Sequence, residues 1–263
     1  MQKIDFASML KVTTSDKTCF IHGCHLMGVN GHEPICPKCE QEKVDREKKE
    51  LTKQFKIQNI KSVLRRKSLV DDNDTFLASF NSYEAKKGSL EESAKYQARM
   101  IAGQYYKEPT ANFNTLFYGL PGSGKTHLAM SILKAVNDNA EPPQKCLFIN
   151  METLFTKIKS SFNNPSALWT EDYAIRLITE ADLVVLDDLG SESAMRDQSE
   201  ATEFTQRILK GILNKQKRII VTTNLTNQQL SHVYNPKIVS RLLRGSKGHT
   251  IDFNKISDKR AGL

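Results

Sequence analysis

Short apolar runs recur through the middle and end of the chain, each bounded by polar residues or turn formers. Thr115-Leu116-Phe117-Tyr118, Lys145-Cys146-Leu147-Phe148-Ile149, Leu183-Val184-Val185-Leu186 and Arg218-Ile219-Ile220-Val221-Thr222-Thr223 show no polar alternation. That pattern predicts strands buried on both faces, with Cys146 as a core residue. Between the runs the period changes to that of a helix. Leu128, Ala129, Ile132, Leu133 and Val136 share one face, as do Leu154, Phe155, Ile158 and Phe162, and again Ile238, Val239, Leu242 and Leu243. Asn235-Pro236 supplies an N-cap and a first-turn proline to the last of these, with Gly245 as its terminator. A further helix is expected from Leu90 to Tyr105, and a turn-rich loop from Asn137 to Pro143. Alternation of such strands and helices predicts an α/β fold, a parallel sheet flanked by helices.

The chain before residue 76 reads differently. Residues 41 to 67 hold ten Lys/Arg against four Asp/Glu, with Val44, Leu51, Phe55, Ile60 and Leu64 thinly spaced among them. This predicts a charged helix or linker, either a solvated connector or an arm for DNA or a partner. Asp71-Asp72-Asn73-Asp74 breaks the pattern. Three segments follow: a small module at 1–45, a charged helical linker at 46–75, and an α/β domain at 76–263.

Charge narrows the partner class. A net charge of +8 and a pI near 9.1 favour an acidic partner, most simply nucleic acid. No run approaches the ~18 apolar residues that span a membrane, and Met1-Gln2-Lys3-Ile4-Asp5 leads into no apolar signal core. A cytoplasmic protein is expected.

The chemistry centres on Gly119-Leu120-Pro121-Gly122-Ser123-Gly124-Lys125-Thr126, a match to G-x-x-x-x-G-K-[ST] set between a predicted strand and a predicted helix. Glycines let the backbone bend so that successive N–H groups and the helix dipole converge on one anion. Lys125 is expected to reach the β- and γ-phosphates, and the Thr126 hydroxyl to ligate Mg²⁺. The expected nucleotide contacts are Gly119, Pro121, Gly122, Ser123, Gly124, Lys125 and Thr126, with His127 beside them.

Leu183-Val184-Val185-Leu186 ends in Asp187-Asp188, a strand delivering two carboxylates to its carboxyl edge, where open α/β sheets bind ligands. Asp187 suits Mg²⁺ coordination and Asp188 polarisation of the attacking water. Asn224, closing the Thr222-Thr223 strand, is expected near the γ-phosphate and that water. Arg241 and Arg244, three apart on the last helix, are either solvated or the source of an arginine finger for a neighbouring subunit. Phe162 and its helix face are expected in the core; the alternative is contact of these residues, or of Trp169, with single-stranded nucleic acid.

Four of the five cysteines precede residue 40. Cys19-x2-His22 and Cys36-x2-Cys39 have the spacing of small zinc ribbons, and one tight turn can present each pair to a tetrahedral ion. Cys19, His22, Cys36 and Cys39 are the first-ranked ligands of a structural Zn²⁺. Cys24 replacing His22 ranks second, and His25 and His32 are spares. Turn formers around them leave few apolar neighbours, so metal would supply the folding energy.

The ordered set of loop, Asp-Asp strand, Thr-Thr-Asn strand and late arginine helix resembles the AAA+ P-loop NTPases, and specifically helicase loaders of the DnaC/DnaI type, phage members included. The resemblance spans roughly residues 76 to 263. It implies that Gly119 to Thr126 is Walker A, Leu183 to Asp188 Walker B, Asn224 sensor 1, Arg241 the arginine finger, and Arg260 the sensor 2 arginine. Asp188 stands where most AAA+ proteins carry Glu, which implies slow hydrolysis; stimulation by DNA is a further expectation of the resemblance. Some phage-type loaders also carry Cys-x2-His-Gly followed by Cys-Pro-x-Cys, as here. By resemblance the chain is an ATPase using ATP, Mg²⁺ and Zn²⁺, in DNA replication in a bacterial cytoplasm, phage-encoded or not. It would bind a replicative ring helicase and single-stranded DNA, and self-associate through the AAA+ domain.

Two other readings share parts of this pattern: an IstB-like transposition helper ATPase, and a zinc-containing DNA-binding adaptor whose ATP site is a switch. A GTPase is disfavoured by the lack of Asn-Lys-x-Asp, and a small-molecule kinase leaves Thr222-Thr223-Asn224 and the late arginine without a use.

Overall fold

Uninterrupted apolar runs are stable as strands only when both faces are covered, and the sheet is built that way. The computed structural model describes residues 11–164, 166–191 and 201–258. The chain divides into two units, Met1–Gln58 and Asn59–Leu263.

In the first unit, β1 (Val12–Thr18) and β2 (His25–Val29) form an antiparallel hairpin with Val12 opposite Val29 and Thr18 opposite His25. Nearly all of its side chains are exposed or half-buried, so it has almost no core of its own. Next comes α1 (Pro37–Lys67), a continuous helix that begins in this unit. Val44, Leu51 and Phe55 are exposed along it. Pairs such as Gln41 with Asp45 and Lys43 with Glu40 lie along its surface, and Arg65, Arg66 and Lys67 suit the negative end of its dipole.

The second unit continues with α2 (Leu90–Lys107), β3 (Thr115–Tyr118), α3 (Lys125–Asn139), β4 (Cys146–Asn150), α4 (Met151–Ser161) and α5 (Glu171–Thr179). After them come β5 (Leu183–Asp187), α6 (Glu203–Lys215), β6 (Ile219–Thr223), α7 (Asn227–Val233), α8 (Pro236–Leu242) and β7 (Thr250–Asp252). Most helices open on a capping side chain. Ser89 accepts from the Glu92 amide, Asn150 from Thr153, and Asn235 from Lys237, the last with Pro236 in the first turn as expected. Helix α3 runs to Asn139, three residues into the stretch expected to be loop, and the three-residue β7 was not anticipated.

The strands pair in parallel in the order β4-β5-β6-β3-β7. Their two-residue alternation sorts side chains into separate cores. Leu116, Leu147, Ile149, Val184, Leu186, Ile219 and Val221 face a core shared with α4, α5, α6, α7 and α8. Phe117, Phe148, Leu183, Val185 and Ile220 face the other, with α2 and α3. Each such aliphatic or aromatic side chain contributes about 1.5–3 kcal/mol on burial. Because all strands run the same way, the segments after β3, β4, β5 and β6 emerge on one rim, which carries the chemistry. Among the described residues no helix is long and apolar enough to cross a membrane.

Candidate functional site

The glycine-rich loop leaves β3 and enters α3 as its sequence demands. Gly119 has φ +138°, and a Cβ there would lie 2.6 Å from the Phe253–Asn254 backbone, so only glycine fits. Gly124 caps α3 with φ +92° and no side chain, leaving the first-turn N–H groups to the loop. Lys125, 7% exposed, donates from Nζ to Gly119 O at 2.8 Å and Leu120 O at 2.7 Å. Its charge is thus held at the loop.

Opposite the loop, the Thr126 hydroxyl donates to Asp187 Oδ1 at 3.0 Å, joining α3 to the end of β5. Burial pushes the Asp187 carboxyl up to about 6, and Asp188 adds to that, while hydrogen bonds from Thr222 and Thr126 and the Lys125 charge pull the other way. Asp188 follows with φ +55°, a left-handed backbone uncommon for a side-chain-bearing residue, and Asn224 donates to its Oδ1 at 3.1 Å. The structure therefore brings Lys125, Thr126, Asp187, Asp188 and Asn224 to one rim.

They line a cavity of about 770 Å³ with Pro121, Gly122, Gly124 and His127, closed on its far side by Asp71, Asp72, Asp74, Leu77 and Tyr83. The segment carrying those far residues is tied down at several points. Leu69 makes a bridge with Ile149 beside β4, Lys134 donates to Phe76 O and Ala78 O, and His127 Nε2 lies 2.9 Å from Ser79 O and 3.2 Å from Ser82 Oγ. His127 thus faces this segment as well as the cavity.

The arginines stand apart from this group. Arg241 Nη1 donates to Lys237 O in its own helix, and its backbone carbonyl accepts from Asn114 Nδ2. Arg244 differs from the expected solvated residue: it is half-buried, and its Nη1 is buried with no hydrogen-bond partner among the described residues. Arg260 lies outside the described residues. Phe162, expected in the core, is 61% exposed, because α4 ends at Ser161; of the face expected to be apolar, Leu154, Phe155 and Ile158 reach the interior.

In the first unit, the Cys19, Cys36 and Cys39 sulfurs and a nitrogen of His22 all lie within 4.8 Å of one another. Cys19 Sγ is 3.6 Å from Cys39 Sγ, and His22 Nδ1 is 3.3–3.8 Å from the three sulfurs. A tetrahedron with Zn–S near ~2.3 Å and Zn–N near ~2.1 Å has edges of about 3.5–3.8 Å, so the donor set fits Zn²⁺. His22 Nε2 faces Glu42 Oε1 at 3.1 Å, the carboxylate that orients a metal-binding imidazole. Burial works against ionisation of Cys36, but the Cys39 N–H and neighbouring thiols outweigh it and bring it to about 6; contact with Cys19 lifts Cys39 to about 12. So crowded a set of thiols ionises fully only around a cation. Cys24 sits outside the four, 3.4 Å from Cys36 Sγ.

Two participants escaped the sequence. Thr222 Oγ1 donates to Asp187 Oδ1 and accepts from the Asp188 N–H, serving both acids. Tyr83 lies with its ring against Gly124 and its hydroxyl 3.5 Å from Ser123 O. Thr222 sits in the recognised strand and could have been flagged by its inward register. Tyr83, 40 residues upstream of Ser123, left no local signal.

A parallel sheet presenting a glycine-rich loop to two acids and a strand-end amide on one rim defines a P-loop ATPase fold of the AAA+ type. The family described as the bacterial DnaA ATPase domain matches residues 80–248, well over half of the chain, and the chain belongs to that family. The replicative helicase loader DnaC of Buchnera aphidicola subsp. Baizongia pistaciae is 25% identical over 145 residues, 53% of this chain and 56% of the relative. DnaC of Escherichia coli K12 is 22% identical over 169 residues, 64% of each. The match thus spans less than two thirds of these relatives. The crystal structure of the DnaC helicase loader superposes with a TM-score of 0.52 at 21% identity, covering 69% of this chain and 99% of that one, a likeness of fold. The AAA+ core is thus similar in fold to that of DnaC.

Proposed function

We propose that this chain is an ATP-hydrolysing loader that assists in placing a replicative ring helicase on DNA. The observation that carries the reading is the 3.0 Å hydrogen bond between Thr126 and Asp187, which unites the phosphate loop and the acid strand in one site. ATP with Mg²⁺ would supply the phosphoanhydride to be cleaved and the cation that offsets its charge. Lys125 would bind the β- and γ-phosphates, with Thr126 and Asp187 holding the metal. Asp188 would orient the attacking water, positioned in turn by Asn224. Arg241 of a neighbouring copy is the proposed finger, in keeping with self-association through this domain.

Single-stranded DNA is assigned to the aromatic and basic surface of α4 to α6. Phe162 and Leu168 are exposed there, Phe162 stands edge-on to Phe204 at 5.7 Å, and Lys159 and Arg207 lie 5.5 and 5.7 Å over the Phe204 ring. The zinc-fitting first unit is assigned to the helicase, because a metal-fixed surface docks without a large core. Support for the partner comes from the DnaC relatives, which are named as replicative helicase loaders.

The test joins turnover to capture. Wild-type protein should hydrolyse ATP and co-purify with a replicative helicase; Lys125→Ala should lose nucleotide binding, and Asp188→Asn should keep binding and lose hydrolysis. Wild-type turnover in Lys125→Ala would remove the ATPase reading, and capture of a transposase in place of the helicase would remove the loader reading.

A further inference from the structure

The carboxyl end of the described chain lies on the phosphate loop. After β7, the Phe253 N–H donates to Tyr118 O at 2.8 Å, the Phe253 ring is buried against Phe117 at 5.4 Å, and the Ile256 N–H closes a turn on Phe253 O. Ile256 is buried as well, so two apolar anchors hold this segment beside β3. Its backbone at Phe253–Asn254 presses on Gly119. Two residues beyond Ile256, the Asp258 carboxylate meets Gly122 so closely that a Cβ at Gly122 would run into both of its oxygens. Gly122 is also in the left-handed region, φ +73°. Glycine is therefore required there twice over, once by the turn and once by the acid. The cavity is lined by Gly122 but not by Asp258, so the acid meets the loop from the tail's side.

A carboxylate held against a loop whose amides and lysine attract anions places a fixed negative charge beside any phosphate bound there. Resting on the nucleotide reading above, we propose that Asp258 is a specificity-determining residue of the nucleotide site: it repels uncompensated phosphate and thereby favours ligands that arrive complexed with a divalent cation. The physical basis is Coulombic. Repulsion scales with ligand charge, and metal-free pyrophosphate carries about two more negative charges than its Mg²⁺ complex. Asp258 is exposed, so the effect is modest and is screened by salt.

The full-length chain would be titrated calorimetrically with metal-free pyrophosphate and with MgATP, at low and high salt, as wild type, Asp258→Asn, Asp258→Glu and Lys125→Ala. Asp258→Asn should bind metal-free pyrophosphate roughly two- to fivefold more tightly than wild type, with a smaller gain for MgATP. The gain should shrink at high salt, and Asp258→Glu should behave as wild type. Unchanged or weaker pyrophosphate binding by Asp258→Asn, in protein that melts like wild type, would overturn the proposal and leave the nucleotide reading standing. If wild type binds MgATP no better than Lys125→Ala, the nucleotide reading falls and this inference with it.

Discussion

Thr222 donates its hydroxyl proton to Asp187 at 2.7 Å while accepting the Asp188 N–H at 2.8 Å. One buried hydroxyl thereby sets the orientation of the first acid and steadies the left-handed backbone of the second.

Replacing Thr222 by Val keeps the shape and removes both hydrogen bonds. We expect kcat for ATP to fall about tenfold to a hundredfold with KM changed little, since the acids are mispositioned and the phosphate loop is untouched. Thr222→Ser should restore most of the rate. A Val variant with wild-type kcat would deny Thr222 a positioning role.

The pH dependence of Asp187 follows from its burial. A carboxyl that titrates near 6 when folded and near ~3.9 when unfolded contributes stability that is complete below about pH 4 and is lost as pH rises through 6. Two units correspond to ~3 kcal/mol, an order-of-magnitude figure. In metal-free buffer, denaturant titrations from pH 4 to 7 should therefore show Asp187→Asn gaining on wild type by roughly that amount. A constant difference across the range would mean that Asp187 is not strained by ionisation.

The cysteine–histidine cluster predicts about one Zn²⁺ per chain, lost in Cys39→Ser and weakened some 10–100-fold in Glu42→Gln, where His22 loses its carboxylate. Cys24→Ser should be milder than His22→Ala. Elemental analysis and chelator competition measure all four variants; zinc-free wild-type protein purified without chelator would end the assignment.

Arg218 predicts a stability effect away from the site. Its guanidinium donates to Tyr105 O at 2.7 Å, Glu108 O at 2.9 Å and Gln144 Oε1 at 3.1 Å, closing the carboxyl end of α2. Arg218→Ala strands these acceptors in the interior and should cost about 2–4 kcal/mol in denaturant unfolding. A loss under about 0.5 kcal/mol would show that water satisfies them as well.

What the sequence disclosed and what it withheld divide along physical lines. Parallel strands buried on both faces carry continuous apolar runs, so β3, β4, β5 and β6 were legible to within a residue or two, and the loop and acids follow from their ends. The hairpin β1–β2 was not legible, because Val12 to Thr18 is nearly all polar and its pairing has no core to pattern it. Nor was β7, three residues whose only apolar member is Ile251. Thr222 needs the sheet register to be seen, and the contacts of His127 with Ser79 and of Gly122 with Asp258 join positions far apart in the chain. Phe162 was misjudged because helical spacing continues past the residue at which α4 stops.

The strand order also bears on how the protein is made. The lateral neighbours of β3 are β6 and β7, both from the last quarter of the chain, and β6 is the strand that separates β3 from β5. A nascent chain emerging from the ribosome therefore displays its glycine-rich loop roughly a hundred residues before that loop has a sheet to rest on. Until residue 223 is out, Gly119 to Thr126 on β3 and Asp187 on the β4–β5 pair have no strand to join them, and a prematurely terminated product keeps both sequence motifs while holding no assembled site.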